Sequence, residues 1–259
     1  MPPVGENDVL VQNLYSSVCG TDVAVFFHGP NTGHKVTVGG EFGHETVSRV
    51  VKVGKNVTDF MVGERVYPYP RYAKGDTRRA GTIGIAAAVA LKHFGMGKVM
   101  LCDRAAFRLK LAEGLGFAVC NPAAEDFAAK ATAYFGTAPS LSGATADIDF
   151  WLDAAGAESI LEDFLRLGKV ESQFVSVAVN NRPRTIDLLH MTYAQQSLIG
   201  SGGYMPEDVQ DVQEILASGK WDLERIITHE FPLPELEQAI RTAGDAEHAG
   251  NVVVKMKTA

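Results

Sequence analysis

The stretch from Ala80 to Lys92 constrains the fold of this chain more than any other part of its sequence. Gly81 and Gly84 have the spacing of the second half of a G-x-G-x-x-G turn, and an alanine-rich helical pattern follows them. A backbone without side chains lets a phosphate group approach the free N–H groups and the partial positive charge at the start of a helix. Arg79 stands where the first glycine is expected, so the turn taken alone is more typical of two packed helices.

The residues after this helix favour a nucleotide site. Lys98 to Cys102 is a short, largely apolar run of the kind found in buried strands, and Asp103 follows it directly. Asp103 lies 19 residues beyond Gly84, close to the spacing at which a carboxylate accepts hydrogen bonds from the ribose of a dinucleotide. We therefore expect a dinucleotide-binding segment, in which this acid favours NAD because a carboxylate repels the 2′-phosphate of NADP.

The chain divides into three parts by its hydrophobic pattern. Residues 1–70 show short strand-like runs and few helical periods, which predicts a small and incomplete β-rich domain. Residues 71–225 alternate between helical and strand patterns, which predicts parallel βαβ units. Residues 226–259 form a C-terminal segment with a helix and a final strand. The pattern predicts helices near 108–116, 159–167 and 207–216 and strands near 146–153 and 174–179.

The net charge and the cysteines narrow the class of protein. A net charge of −7 argues against a nucleic-acid-binding protein, which needs a basic face for phosphates. The three cysteines form no C-x-x-C pair, which is typical of a reducing compartment. The N-terminal residues lack the basic and apolar regions of a signal peptide, and no apolar run approaches the length of a membrane span. We expect a cytoplasmic protein that binds neither membrane nor nucleic acid.

Two short motifs in the β-rich part offer metal ligands. Cys19-Gly20-Thr21-Asp22 precedes Gly43-His44-Glu45, and the histidine lies 25 positions after the cysteine. A thiolate, an imidazole and a carboxylate can form a three-ligand zinc set that leaves a fourth position for water or substrate. Each motif alone has a plainer interpretation, because a lone cysteine is more often a small buried apolar residue and a His-Glu pair is more often on the surface.

Taken in order, these motifs resemble one family, the zinc-dependent medium-chain dehydrogenases and reductases, and within it the alcohol, polyol (sorbitol) and threonine dehydrogenase branch. The resemblance covers nearly the whole chain. It rests on the two motifs above and on Gly39-Gly40-Glu41-Phe42, Val53-Gly54-Lys55-Asn56-Val57, Gly63-Glu64-Arg65-Val66, Ala80-Gly81-Thr82-Ile83-Gly84, Asp103, Asp153-Ala154-Ala155-Gly156, Gly200-Ser201-Gly202-Gly203-Tyr204 and Ile227-Thr228-His229.

The resemblance implies roles for individual residues. Cys19 and His44 are similar to the zinc ligands of the family, and Glu45 resembles the carboxylate that binds or swings onto the metal in the polyol branch. Thr21 occupies the hydroxyl position of the proton relay, which completes a catalytic set of Cys19, Thr21, His44 and Glu45. The cofactor-binding positions are Gly81, Thr82, Ile83, Gly84, Asp103, Arg108, Val177 and Ser201.

The fold implied is α/β: an incomplete chaperonin-10-like β domain, followed by a Rossmann-type, doubly wound parallel sheet, with the C-terminal segment returning to the first domain. The activity implied is the oxidation of an alcohol or polyol, in which zinc lowers the pKa of the bound alcohol and a hydride passes to NAD. The resemblance implies one catalytic zinc ion and no structural zinc, since no cysteine-rich lobe is present. It also implies a homodimer or homotetramer.

The chain is shorter than the family pattern, both at its start and internally. The family has one glycine-containing segment that ends the β domain and a second that opens the cofactor fold, whereas here Ala80–Gly84 occupies both places. We therefore expect an internal deletion that removes the central first strand of the Rossmann sheet and leaves two exposed strand edges. Two alternatives remain open: a non-catalytic, dehydrogenase-derived protein that binds a nucleotide or a partner, and an NADPH-dependent quinone-type reductase, against which Asp103 argues.

Overall fold

The computed structural model describes residues 3–29, 43–68, 82–178 and 183–257. The chain divides into two compact units. The first is built from the residues before position 78 together with those from Ile227 onward, and the second spans Arg78–Ile226. Within the described ranges, no helix is both long and apolar enough to cross a membrane.

The first unit is a five-stranded sheet with two helices. Its strands are β1 (Val9–Ser17), β2 (Glu45–Val53), β3 (Arg65–Val66), β11 (Ile227–Pro232) and β12 (Asn251–Lys255), and its helices are α1 (Gly20–His28) and α8 (Leu236–Ala243). The strand order is β11-β12-β1-β2-β3, so the last strand of the chain pairs with the first. β1 is antiparallel to both of its neighbours, and β11 runs parallel to β12.

Helix α8 covers part of this sheet and supplies much of the core of the first unit. Ala239 in α8 packs with Ala249, Val252 and Val254, all of which are almost fully buried. Alternate residues of β12 face this core, as expected for a strand with one buried face. The C-terminal segment thus stabilises β1 by backbone pairing and by apolar burial.

The second unit alternates between helices and strands. Its helices are α2 (Thr82–His93), α3 (Ala106–Gly114), α4 (Phe127–Phe135), α5 (Glu158–Leu167), α6 (Leu188–Ala194) and α7 (Pro206–Ala217). Its strands are β4 (Met100–Cys102), β5 (Ala118–Cys120), β6 (Thr137–Ser140), β7 (Gly143–Ala146), β8 (Phe150–Asp153), β9 (Gln173–Ser176) and β10 (Ser197–Gly200). Successive parallel strands joined by helices make this an α/β unit, as the alternation predicts.

The parallel strands of the second unit form two separate sheets. β4 pairs with β5, and β8, β9 and β10 form a three-stranded sheet in which β9 is central. β6 and β7 form an antiparallel hairpin between them in the chain. No strand within the described residues pairs with the free edge of β4 or with that of β8. This is the arrangement expected of a doubly wound sheet that lacks its central strand.

Several local predictions from the sequence were wrong. The predicted strand over 146–153 is two strands, because residue 146 ends the β6–β7 hairpin and β8 begins only at Phe150. The β-rich part contains α1, and the second unit contains α4 and α6, none of which the sequence pattern indicates clearly. Short helices have too few turns for a clear apolar period, which explains these omissions.

Gly54 should be intolerant of any side chain. It follows β2, its N–H donates to the Asp8 carbonyl at 2.8 Å, and an added Cβ would lie 2.3 Å from the Gly5 carbonyl oxygen. Because those atoms belong to the backbone, Gly54→Ala should lower the free energy of unfolding by about 1–3 kcal/mol. Gly97→Ala is the matched control, since nothing lies within 4 Å of its added Cβ. Equal denaturant midpoints for the two variants would contradict the close packing of Gly54 against the backbone before β1.

Candidate functional site

The pairing of β1 with β2 brings the two predicted metal motifs together. Ser17, the last residue of β1, lies opposite Glu45, the first residue of β2. Cys19 follows two residues after Ser17, and His44 comes directly before Glu45, so all three candidate ligands lie at one end of this ladder. One ligand atom from each of Cys19, His44 and Glu45 lies within 4.8 Å of the other two.

The donor set of this cluster fits zinc. Cys19 is 8% exposed, and burial together with the charge of Glu45 raises the pKa of its thiol to about 12. The thiol is therefore protonated at neutral pH until a cation replaces its proton. The Nε2 atom of His44 is buried and has no hydrogen-bond partner among the described residues. Buried polar atoms are normally paired, so an orphaned imidazole nitrogen beside a thiol and a carboxylate indicates a ligand at that point.

Asp22 holds the cysteine in position, a role that the sequence analysis did not assign. It is buried, with 5% of its surface exposed, and its Oδ2 accepts a hydrogen bond from the Cys19 backbone N–H at 2.9 Å. Burial raises the pKa of Asp22. The residue stands in the first turn of α1, three positions after Cys19, where an acid can bond back to the N-cap residue. That spacing is the signal by which the sequence could have identified it.

Thr21 and Gly43 are the remaining neighbours of this cluster. The Cys19 thiol donates to Thr21 Oγ1 at 3.8 Å, which places the hydroxyl beside the candidate ligands. Gly43 has a φ of 87°, a left-handed conformation that favours glycine, immediately before His44. The residues Gly39–Phe42 of the same motif lie outside the described residues.

The predicted phosphate-binding residues lie at the start of α2. Gly81 lies outside the described residues, and Thr82 is the first residue of the helix, although its side chain is not described. Ile83 is partly exposed. At Gly84 an added Cβ would lie 3.8 Å from a side-chain carbon of Leu101 and 3.9 Å from the Cβ of Ala154, which are ordinary contacts. Gly84 therefore brings α2 close to both parallel sheets without a steric need for glycine.

Asp103 and Arg108 form a polar pair beyond the end of β4. Asp103 Oδ1 accepts from the Ala105 N–H at 2.9 Å, and its Oδ2 lies 3.9 Å from Arg108 Nη1. About a third of the Asp103 side chain, 31%, remains exposed. The Nε atom of Arg108 is buried and has no hydrogen-bond partner within the described residues. The carboxylate is thus held in place and still open to a ligand.

The other predicted cofactor residues follow the carboxyl ends of their strands. The Val177 N–H donates to the Asp153 carbonyl at 3.0 Å, and the Ser201 N–H donates to the Ser176 carbonyl at 2.9 Å. The side chain of Asp153 accepts hydrogen bonds from the N–H groups of Ala155 and Gly156, which fixes the turn after β8. Open parallel sheets bind nucleotides at the carboxyl ends of their strands, so these positions suit the predicted role.

Two protein-family models match this chain. A model described as the alcohol dehydrogenase GroES-like domain matches residues 5–110. A model described as zinc-binding dehydrogenase matches residues 82–218, which is more than half of the chain. The chain belongs to the zinc-binding dehydrogenase family. The medium-chain family that the sequence resembles is therefore confirmed, and this protein is an oxidoreductase by family.

Individual relatives of this zinc-binding dehydrogenase agree with that family. An L-threonine 3-dehydrogenase of Pectobacterium atrosepticum is 22% identical over 312 residues, covering 92% of this chain and 84% of the relative. A Sinorhizobium meliloti structure described as a zinc-binding dehydrogenase bound to NADP has a TM-score of 0.78 at 18% identity, covering 98% of this chain and 93% of that one. An Escherichia coli CFT073 alcohol dehydrogenase complexed with NADH has a TM-score of 0.76 at 18% identity, covering 98% and 94%.

These likenesses confirm the predicted fold class, a GroES-like domain together with a Rossmann-type domain. The cofactors predicted for the family, zinc and a nicotinamide dinucleotide, agree with the description of the model and with the two complexes. The alignment with the threonine dehydrogenase runs over more residues than the 259 of this chain, so the relative contains stretches that have no counterpart here. The two family matches also overlap over 82–110.

Cobalt(II) can test the metal cluster directly. The protein should bind Co²⁺ at the three candidate ligands and show a thiolate-to-cobalt absorption band in the near ultraviolet, because Cys19 supplies a sulfur ligand. Cys19→Ser should remove that band, and Cys102→Ser, which changes a thiol of the second unit, should leave it unchanged. A band that survives Cys19→Ser would place the metal elsewhere.

Proposed function

We propose that this zinc-binding dehydrogenase oxidises an alcohol or polyol with NAD as the hydride acceptor. The observation that carries the proposal is the cluster of Cys19, His44 and Glu45, in which the buried Nε2 atom of His44 has no partner within the described part of the chain. A thiolate, an imidazole and a carboxylate together are a donor set for zinc that leaves a coordination position open. The relatives and the family models support the same reading.

The residues of the metal cluster and their neighbours have separate roles in the proposed reaction. When bound, zinc supplies a Lewis acid for the alcohol oxygen, and NAD supplies the acceptor of the hydride. Cys19, His44 and Glu45 hold the metal. Asp22 fixes the backbone of Cys19 and so sets the direction of its sulfur. The Thr21 hydroxyl, which lies beside that sulfur, is placed to receive the proton of the substrate hydroxyl and pass it on.

The residues at the carboxyl ends of the parallel strands hold the dinucleotide in this proposal. The start of α2, with Thr82, Ile83 and Gly84, offers free N–H groups to the pyrophosphate, and Gly81 precedes them in the same sequence motif. Asp103 accepts hydrogen bonds from the ribose, and Arg108 keeps its carboxylate in place. Val177 and Ser201 line the path of the cofactor. The partly exposed carboxylate of Asp103 favours NAD over NADP, since it repels a 2′-phosphate.

The proposal extends to the domains and to the setting of the enzyme. Residues 1–70 and 226–259 carry the metal and the substrate, and residues 71–225 carry the dinucleotide. The substrate class of alcohols and polyols follows from the resemblance, and the likeness to threonine dehydrogenases is compatible with a hydroxyl-bearing substrate. All three cysteines are free, which suits the cytoplasm. The expected dimer or tetramer stays a prediction.

An NADH titration tests the dinucleotide half of the proposal. Binding should quench the fluorescence of Trp151 and Trp221 and transfer energy to the nicotinamide. Asp103→Ala should weaken NADH binding about tenfold or more, because hydrogen bonds to a charged group contribute about 1.5–3 kcal/mol. Asp211→Ala, which changes an exposed acid in α7, is the matched control and should bind as the unchanged protein does.

Turnover tests the reaction itself. The zinc-loaded protein should form NADH from NAD in the presence of a secondary alcohol or polyol, and Cys19→Ser should abolish this while NADH binding persists. Saturable NADH binding without turnover of any alcohol or polyol would reject the proposed reaction but leave the dinucleotide site standing. Absence of NADH binding at millimolar concentration would reject both.

A further inference from the structure

The free edges of the two parallel sheets face one cavity. Residues of β4 and of β8 both line this cavity, which has a volume of about 560 Å³. β4 pairs only with β5, and β8 pairs only with β9, within the described residues. Each strand therefore turns one row of backbone N–H and C=O groups toward the cavity without a strand partner. We call this cavity, between Met100–Cys102 and Phe150–Asp153, the strand slot.

The amino ends of the two strands lie together. Lys98, which precedes β4, donates from its Nζ to the carbonyl of Phe135 at 3.4 Å. The side chain of Phe135 packs against the buried cluster that contains Ile148, two residues before β8. Lys98 also lines the strand slot, together with Asp149. One end of the slot is thus defined by the starts of both strands.

The carboxyl ends meet at the start of α2. The Cβ position of Gly84 is in van der Waals range of both the Leu101 side chain in β4 and the Cβ of Ala154, the residue after β8. Because the amino ends are joined at one side and the carboxyl ends at the other, β4 and β8 run in the same direction. The two strands are therefore parallel to each other on either side of the cavity.

Helices supply apolar walls to the strand slot. α2 contributes Ile85 and Leu91, α4 contributes Phe127, and α5 contributes Ile160. Strands covered by helices on both faces are nearly continuously apolar in sequence. Charged residues also line the slot: Lys98, Asp147 and Asp149 before the strands, Asp103 and Arg108 after β4, and Asp163 on α5. An occupant should therefore be apolar where it faces these helical side chains and able to form backbone hydrogen bonds along both sides.

An extended peptide meets these requirements better than a small apolar molecule or water. An apolar molecule would leave the backbone groups of both strand edges without partners, at a cost for each group. Water could pair with single backbone groups of the strand edges, but it would leave the apolar side chains of the helices unburied. A peptide strand satisfies both edges at once, which is the chemistry of strand addition at a sheet edge.

The sequence of this chain has no spare segment of that kind next to the slot. The residues from 69 to 81, which precede α2, include Pro70 and Gly75 and five charged side chains, Arg71, Lys74, Asp76, Arg78 and Arg79. Proline and charged residues are poor components of a central strand. The chain's apolar strand sequences in the second unit are already paired in its sheets.

We propose that the strand slot binds an extended apolar segment of another polypeptide, inserted between β4 and β8 and parallel to both. The lengths of these strands, three and four residues, fix a segment of about four residues or roughly 13 Å. β-branched and other apolar side chains are favoured on both faces of that segment. The carboxyl end of the slot adjoins the proposed dinucleotide site, because Gly84, Asp103 and Arg108 line the slot as well.

A synthetic peptide tests the proposal on the full-length chain. The probe is acetyl-Lys-Val-Ile-Val-Val-Lys-amide, whose lysines keep it soluble. Binding should slow amide hydrogen exchange in β4 and β8 at least tenfold, because their free edges become paired. The control peptide has the same sequence with its central amides N-methylated, which removes hydrogen-bond donors but keeps the apolar surface, and it should give no protection.

Two protein variants locate the binding. Ala87 in α2 lines the strand slot, whereas Ala86 is exposed on the same helix and does not line it. Ala87→Phe should abolish protection by filling the slot, and Ala86→Phe should leave it intact. The proposal is overturned if the peptide does not protect β4 and β8, or if the N-methylated peptide protects them equally. It is also overturned if the peptide protects these strands to the same extent in the Ala87→Phe and Ala86→Phe variants.

Discussion

The position of β1 between β12 and β2 is the constraint on which the first unit depends. Its pairing with β2 runs from Val9 opposite Val53 to Ser17 opposite Glu45, so the end of one strand meets the start of the other. Its pairing with β12 ties the start of the chain to its end. A metal cluster whose ligands come from residues 19, 44 and 45 exists only while this register is kept, since a shift of one residue would turn the side chains to the opposite face.

The protonation and pairing of the groups in this cluster favour the binding of a cation. Without one, it contains a thiol kept protonated by burial, an imidazole nitrogen without a partner and a carboxylate close to both. A divalent ion removes each of these costs, because it replaces the thiol proton, takes the free lone pair and neutralises the carboxylate. The buried side chain of Asp22 also accepts a hydrogen bond from the Cys19 backbone N–H, which fixes the backbone of the cysteine. The order of the motifs in the sequence suggested the ligands, but not this supporting bond.

Much of the architecture could be predicted from the sequence because each pattern has a physical period. The alternation after residue 82 predicted the βαβ units, and the continuously apolar run around Phe174 predicted the buried central strand β9. The gap in the parallel sheet was expected from the single glycine turn at Ala80–Gly84. The sequence could not show that the two half-sheets remain parallel around a cavity, because this depends on contacts far apart in the chain, such as Lys98 with Phe135. Gly81 and Gly39–Phe42 lie outside the described residues.

The most direct test of the account is the coordination of zinc in the loaded protein, measured by X-ray absorption at the zinc edge. We predict one sulfur ligand at about 2.3 Å, with the remaining ligands nitrogen or oxygen at about 2.0–2.2 Å. This pattern follows from one cysteine, one histidine and one glutamate around a single ion. A shell of several sulfur atoms, a shell without sulfur, or a protein that retains no zinc would contradict it.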